Sequence, residues 1–201
     1  MLALDCSTAA CTAALFDDGG ALLGACDEVI GRGHAERLVP MIGELLGGLP
    51  PTSVLVGIGP GSFTGLRVAL AAAHGMAIGW GADLHGMPSL ALLAASAPGD
   101  GRVAAAIAGG HGELFVQSFN RLPFAPESDP ENMSPAAAAM ALAADLAVGS
   151  GAQELVDARG HGEALPLLPS ARFAMRLPAE LRTLSASPLY IRAPDARPKA
   201  A

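Results

Sequence analysis

Asp5, Ser7 and Thr8 close the opening run MLALDCST, and they are the first residues in this chain whose types and spacing could do chemistry. A carboxylate and two hydroxyls at the end of an apolar segment can hold a metal-bound water or contact a phosphate. The same pattern also makes an ordinary turn. The five histidines, His34, His74, His85, His111 and His161, offer less. A zinc peptidase needs a close imidazole pair on one helix, as in HExxH. One helical turn after His34 stands Leu38. HGE occurs at 111–113 and again at 161–163, each time beside glycine that marks a turn. Ser62 lies in GPGSF and not in GxSxG, so it is no nucleophile elbow. Cys6, Cys11 and Cys26 fit no CxxC spacing, and Cys6 and Cys11 read as core thiols. The only lysine is Lys199, so a mechanism that needs a lysine in the body is excluded.

The stretch GIGPGSFTGLRVALAAAHGMAIG, residues 57–79, invites a phosphate-loop reading and does not sustain it. A P-loop reads GxxxxGK[ST], with a lysine for the outer phosphates and a hydroxyl for Mg²⁺. Here no lysine follows, and Pro60 removes a backbone donor. The spacing also fails GxGxxG. Residues Gly59, Pro60, Gly61, Ser62, Phe63 and Thr64 read as a structural loop that launches a helix. Gly65, Gly75 and Gly79 lie in that helix, each at a cost of roughly 1 kcal/mol against alanine. Gly65, Ala69, Ala72, Ala73 and Met76 recur at helical spacing and form a smooth face that another backbone can approach closely. The helix before it, from His34 to residue 48, carries two apolar stripes. One is Leu38, Met41, Leu45 and Leu49; the other is Val39, Ile42 and Leu46. Together they exceed the single stripe of a surface helix. Either the helix is buried in its own fold, or the two helices share a face for another protein.

The elements around these residues alternate. MLALD, AACTAALF and GALLGACDEVI predict strands, the last two joined by a hairpin at Asp17-Asp18-Gly19-Gly20. Pro40 is expected near the first turn of the first helix, and Gly47-Gly48 at its end. SVLVGIG and ADLHGM predict strands, and PSLALLAASA a short helix. RVAAAIA and ELFVQSF predict two more strands across Gly109–Gly112. Residues 122–135, with four prolines, predict loop, and AAAAMALAADL predicts helix. PLYIR reads as extended and ARPKAA as a frayed end. Strands alternating with helices predict an α/β fold. The break near residue 109 predicts two lobes, 1–100 and a smaller, shortened 101–201.

Composition narrows the function. Apolar residues make up 51% of the 201, enough for a substantial core, while the formal charge is −7. Residues 1–170 hold 17 acids against 6 arginines, which is not the basic footprint of a nucleic-acid binder. Residues 171–201 hold 6 bases, best read as a solvated tail. Met1 leads straight into a strand-like run, and no apolar stretch is long enough for a membrane span. A cytoplasmic, reducing location is expected.

LALDCSTAACTAALF, GRGHAERLVPMI, GIGPGSFTGLRVALAAAHGMAIG, GMPSLALLAA and SPLYIR together resemble the TsaB family, also called YeaZ. The likeness covers residues 1 to about 120 and returns at 187–192. It implies a two-lobed actin-like ATPase (ribonuclease H-like) fold, with mixed sheets flanked by helices. It implies a non-catalytic relative of TsaD, the transferase that threonylcarbamoylates the adenosine beside the tRNA anticodon. TsaD keeps two histidines on its metal-binding helix; His34 followed by Leu38 agrees with lost metal chemistry, so no catalytic residue and no metal ligand are expected. The partner would be TsaD, joined by TsaE, with tRNA met only through the complex and a homodimer formed alone. The implied interface is His34, Leu38, Met41, Ile42 and Leu45 on the first helix, with Gly65, Leu66, Ala69, Ala72, Ala73 and Met76 on the second. No tightly bound cofactor is expected. ATP or ADP with Mg²⁺ at the partner interface is the nucleotide reading, with Asp5, Ser7 and Thr8 as its contacts here. Family members carry Asp-Ala-Arg where this chain has Ala108-Gly109-Gly110. The rival readings are an ATP-dependent phosphotransferase of the same fold, which lacks a second placed carboxylate and a lysine, and a glycoprotease-type peptidase.

Overall fold

The computed structural model describes residues 1–48 and 50–192. Leu49, expected on the first helical stripe, and the ARPKAA segment lie outside the described residues.

Three antiparallel-connected strands open the chain: β1 (Leu2–Asp5), β2 (Ala10–Phe16) and β3 (Leu22–Val29). Helix α1 (His34–Leu46) leads to β4 (Ser53–Gly57), α2 (Phe63–Trp80) to β5 (Asp83–Met87), and α3 (Ser89–Ser96) closes the set. The five strands lie in the order β3-β2-β1-β4-β5, with β1, β4 and β5 parallel.

The second half repeats this plan. β6 (Arg102–Gly110) and β7 (Glu113–Arg121) pair antiparallel, and β8 (Phe124–Pro126) and β9 (Glu131–Met133) both pair with β7. Helix α4 (Pro135–Ala141), β10 (Leu146–Val148), α5 (Ala152–Arg159) and β11 (Glu163–Leu165) follow. The order β11-β10-β6-β7-β8, with β6, β10 and β11 parallel, mirrors the first sheet strand for strand. Two 3-10 turns, Ala171–Arg176 and Ala179–Leu181, come last.

Side-chain alternation decides the layering. Leu2, Leu4, Val54 and Val56 point to the face covered by α1 and α2, in one cluster with Leu38, Met41, Ile42, Ala69 and Ala73. Ala3, Ala14 and Leu55 point the other way, onto α3. The second sheet turns Val103, Ala105 and Ile107 to the same central cluster and Ala104, Ala106, Leu114 and Val116 to α4 and α5. Helix α3 is buried from Ser89 to Ala95, which suits SLALLAAS, a helix apolar on all sides. Each leucine it buries contributes about 1.5–3 kcal/mol. Among the described residues, no helix is long and apolar enough to cross a membrane.

Several expectations need correction. Pro40 stands in the second turn of α1, and it is tolerated there because it is exposed and water can reach the carbonyl it leaves unpaired. Residues 122–135 contain strands β8 and β9. Both lie on the same outer edge of β7, where proline costs no ladder bond. The helix expected over 136–146 stops at Ala141. Leu146–Val148 instead pair with both β6 and β11, so sheet burial overrides alanine propensity.

Residues beyond the second sheet return to the first. Gly86 on β5 and Leu184 exchange backbone hydrogen bonds, and Leu189 N–H donates to the Ile58 carbonyl at 2.8 Å.

Candidate functional site

Strand β1 delivers Asp5 to the point where its chain leaves the sheet, and the loop before α2 arrives at the same place. Asp5 Oδ1 accepts from the Ser7 amide at 2.7 Å and the Ser7 hydroxyl at 2.6 Å. Oδ2 accepts from Ser89 Oγ at 2.6 Å. Ser89 Oγ in turn accepts from Gly59 N–H at 3.1 Å, and Ser89 N–H donates to the Gly59 carbonyl at 2.8 Å. Ser62 N–H donates to the Ser7 carbonyl at 2.6 Å. Asp5 is 1% exposed and Ser7 fully buried. Burial pushes the Asp5 carboxyl above its ordinary value, and the bonds from Ser7 and Ser89 pull it back.

The glycines of this loop are there for space. A Cβ on Gly57 would overlap the Asp5 carboxylate, one on Gly61 the Ser7 carbonyl, and one on Gly65 the Cys6 carbonyl oxygen. Gly59 has φ 96°, and a Cβ there would press on Leu66. Gly59 and Pro60 are joined by a cis peptide. Ser62 caps α2, its Oγ accepting from Gly65 N–H at 3.2 Å. The expected phosphate contacts are thus a closed clasp between β1, the loop and α3. Asp5 and Ser7 are spent on one another and on Ser89. Thr8, half-buried, accepts from Ala10 N–H at 3.2 Å. Sequence reasoning gave Ser89 no role; its position at the head of an apolar helix, directly after Pro88, is the one signal it left.

Cys6 and Cys11 face each other across β1 and β2 with sulfurs 3.9 Å apart, both buried and unbridged. Contact with the Cys11 sulfur, together with burial, pushes the Cys6 thiol up. Both behave as core residues. His34 is also inward, its Nε2 at 3.3 Å from the Ala10 carbonyl on β2. Among the described residues no three His, Cys, Asp or Glu side chains gather as a metal site requires.

The two helices beside the clasp divide their faces differently from the expectation. Leu38, Met41 and Ile42 on α1, and Gly65, Leu66, Ala69 and Ala73 on α2, are buried in the protein's own core. Leu45, Ala72 and Met76 are half-buried. The smooth face built on Gly65 therefore serves intramolecular packing against the end of β1.

The outward faces carry other residues. On α1 these are Ala35, Val39 and Gly43 at i, i+4 spacing, with Val39 56% exposed. On α2 they are Arg67, Ala71, Gly75, Ile78 and Gly79, with Ile78 83% exposed. Among the described residues, a Cβ on Gly43, Gly75 or Gly79 would meet nothing within 4 Å. At the start of α2 the Arg67 guanidinium lies 3.7 Å from the centre of the exposed Phe63 ring, which is 5.9 Å from Tyr190. At its other end an open groove of about 520 Å³ runs between His74, Ile78 and residues 185–187. Arg37, Glu28 and Glu44 form an ion-pair set at the flank of α1, with Arg37 to Glu28 at 2.6 Å and to Glu44 at 2.8 Å.

Comparison with known proteins gives three sets of likenesses. The family profile for TsaD, tRNA N6-adenosine threonylcarbamoyltransferase, matches residues 23–160. The chain is 36% identical over 129 residues to the tRNA threonylcarbamoyladenosine biosynthesis protein TsaB of Escherichia coli K12, covering 60% of this chain and 55% of that one. It is 44% identical over 93 residues to TsaB of Haemophilus influenzae, covering 44% of this chain and 38% of that one. It thus spans about half the length, or less, of these curated relatives. Among solved structures, YeaZ from Pseudomonas aeruginosa superposes with a TM-score of 0.78 at 29% identity, covering 94% of this chain and 98% of that one. An uncharacterized Pseudomonas aeruginosa protein with similarity to peptidase YeaZ does so at 0.80 and 32% identity, covering 95% and 98%. Two mixed sheets flanked by helices, with these neighbours, make the fold the actin-like, ribonuclease H-like one.

Proposed function

The chain belongs to the TsaD family, within its TsaB (YeaZ) members, and from that premise we propose that it is a non-catalytic subunit in the biosynthesis of threonylcarbamoyladenosine in tRNA. In this reading it pairs with the TsaD transferase and TsaE joins the pair. Transfer to the adenosine beside the anticodon takes place on TsaD, and tRNA is met through the complex.

The observation that carries the reading is the outer side of α2. Gly75 and Gly79 flank an exposed Ile78, and a Cβ on either would meet nothing within 4 Å among the described residues. Each interior glycine weakens a helix by about 1 kcal/mol. Gly65 has an intramolecular reason for its size; among the described residues these two have none. A partner helix that lies close across Ala71, Gly75 and Gly79 supplies it, gaining dispersion contacts along both backbones. Val39 and Gly43 on α1 extend the same kind of surface, and Phe63 with Arg67 gives it an aromatic–arginine anchor of the sort that dominates interface energies. The docking residues proposed are thus the outward neighbours of Leu38, Met41, Ala69 and Ala73, while half-buried Leu45, Ala72 and Met76 form the margin. A stable contact of this type buries on the order of 1,600 Å² in total. Without TsaD, a second copy of the chain covers the same surface.

The clasp supports the non-catalytic part. The Asp5 carboxylate accepts three hydrogen bonds from its own chain and is 1% exposed, so most of its acceptor capacity is already used and water does not reach it. ATP or ADP with Mg²⁺, if held at the joint, is held by the partner's groups. Co-purification of the chain with its cognate TsaD, with and without ATP, tests the pairing; absence of a complex in both conditions removes it. Turnover of Mg-ATP by the isolated chain would favour the phosphotransferase alternative.

A further inference from the structure

We propose that a cavity at the C-terminal end of α3 binds a phosphate or phosphate-monoester anion between Arg121 and Arg176. The cavity measures about 480 Å³, within the range of small-molecule sites. Its wall combines Arg121 from the end of β7, Arg176 from the 3-10 turn, Asp100 from the bend after α3, and Phe124 from β8. None of these residues belongs to the proposed docking faces, and the site does not depend on the pairing with TsaD.

Both guanidinium groups are already fixed in place. Arg121 donates from Nε to the Gly101 carbonyl at 3.0 Å and from Nη1 to the carbonyls of Ala97 and Pro98 at 3.0 and 2.5 Å. Arg176 donates from Nη1 to the Ala95 carbonyl at 3.0 Å and lies 4.4 Å from the centre of the Phe173 ring. The carbonyls at the end of α3 thus hold part of each planar fork. Arg121 Nη2 and Arg176 Nε and Nη2 have no hydrogen-bond acceptor among the described residues. A guanidinium carries five N–H donors, and a fork with donors to spare suits an oxyanion.

The charge points the same way. The cavity sets two cations against one carboxylate, and neither arginine has a carboxylate within ion-pair distance among the described residues. Burial, with Arg176 adding like charge, pushes the Arg121 guanidinium below its ordinary value, against the pull of Asp100. In a chain of formal charge −7 this is a local excess of positive charge. A tetrahedral oxyanion shared by both forks relieves the repulsion and uses the remaining donors. Phe124, half-buried against Phe119 at 5.6 Å between ring centres, offers an apolar wall to whatever the phosphate is attached to.

The test uses the whole chain and two probes titrated separately, inorganic phosphate and adenosine monophosphate, with chloride holding the ionic strength constant. Amide and guanidinium NMR signals of Gly99, Asp100 and Arg121 report occupancy. Saturable shifts are expected, with affinity about tenfold weaker in Arg176→Gln, which loses one of the two charge-assisted forks. Asp100→Asn should bind about threefold tighter, since it removes an exposed like charge. That opposite direction is one a merely loosened fold does not produce. Tighter binding of the monophosphate seats its organic part against Phe124; equal binding of the two probes assigns the site to the phosphate alone. Spectra that do not respond to either probe, or equal affinity in the native chain and Arg176→Gln, overturn the proposal.

Discussion

Asp5 and Ser89 stand 84 positions apart in the chain, and their side chains share a 2.6 Å hydrogen bond that ties the end of the first strand to the start of the central helix. The same hydroxyl accepts from Gly59 N–H, so one small side chain joins three segments. Ser89→Ala removes both bonds at once. It leaves a buried amide and a buried carboxylate oxygen short of partners, and the expected loss is about 1–3 kcal/mol in a urea unfolding experiment. An unchanged midpoint would mean that the clasp contributes nothing to stability.

The clasp also predicts a pH dependence. Burial raises the Asp5 carboxyl above its ordinary 3.8. The folded chain therefore holds this proton to higher pH than the unfolded chain does. The stabilisation it gives is complete below 3.8 and declines as pH rises through the raised value. Asp5→Asn cannot ionise, so the difference in stability between native chain and variant should change over that window and level off above it. A difference that stays flat from acid to neutral pH would contradict a raised carboxyl.

Gly65 and Gly75 sit on one helix and should answer oppositely to the same substitution. Gly65→Ala drives a methyl into the Cys6 carbonyl, and overpacking of this kind costs about 1–3 kcal/mol. Gly75→Ala meets open space and should stabilise the free chain by about 1 kcal/mol through helix propensity. In a pull-down with TsaD the second variant should nevertheless bind more weakly, because the added methyl holds the partner backbone away. Stabilisation with undiminished binding would clear Gly75 of any part in docking.

Ile78→Lys should leave the melting temperature of the isolated chain nearly unchanged, since the side chain is 83% exposed. Its association with TsaD should weaken by on the order of 2 kcal/mol, as for a truncated hot-spot residue. Ala69→Arg should behave in the reverse manner. Ala69 is fully buried, so that variant loses the fold before any question of binding arises. Calorimetric titration of folded protein separates the two cases.

Asp27 fastens the last part of the chain to the edge strand β3. It accepts from Thr12 and Ser170 hydroxyls and pairs with Arg172 at 2.9 Å, while Thr12 Oγ1 accepts from Ala171 N–H at 2.8 Å. Asp27→Ala should cost about 1–3 kcal/mol and raise amide exchange around residues 170–176 ahead of global unfolding. Uniform exchange across the chain would show that this contact is incidental.

Much of the first half was legible in the sequence because its signals are local. The hairpin turn at Asp17–Gly20 and the loop that launches α2 each follow from residues a few positions apart, although Phe63 and Thr64, read as loop, already belong to the helix that Ser62 caps. The second half was less legible. Pro123, Pro126 and Pro130 read as loop, since nothing local says that β7 has a free edge beside them. The stripe of Leu38, Met41 and Leu45 on α1 faces inward, but the one drawn through Val39, Ile42 and Leu46 is split, with Val39 exposed and Ile42 buried, because spacing does not state which side faces the core. Burial showed that Leu38 and Ala69 face inward, leaving Val39 and Ile78 outside. Asp5 was visible as a carboxylate at a strand end; its partner Ser89 was not, because a contact across 84 positions leaves no periodicity to detect.

The return of Leu184 and Leu189 to Gly86 and Ile58 has a consequence for how the molecule is made. Synthesis runs from the N-terminus at about 5–20 residues per second. The first sheet leaves the ribosome several seconds before the strip that covers its outer edge. Throughout that interval the outer edge of β5 has unpaired backbone donors and acceptors, which is the kind of edge that invites mispairing with another strand.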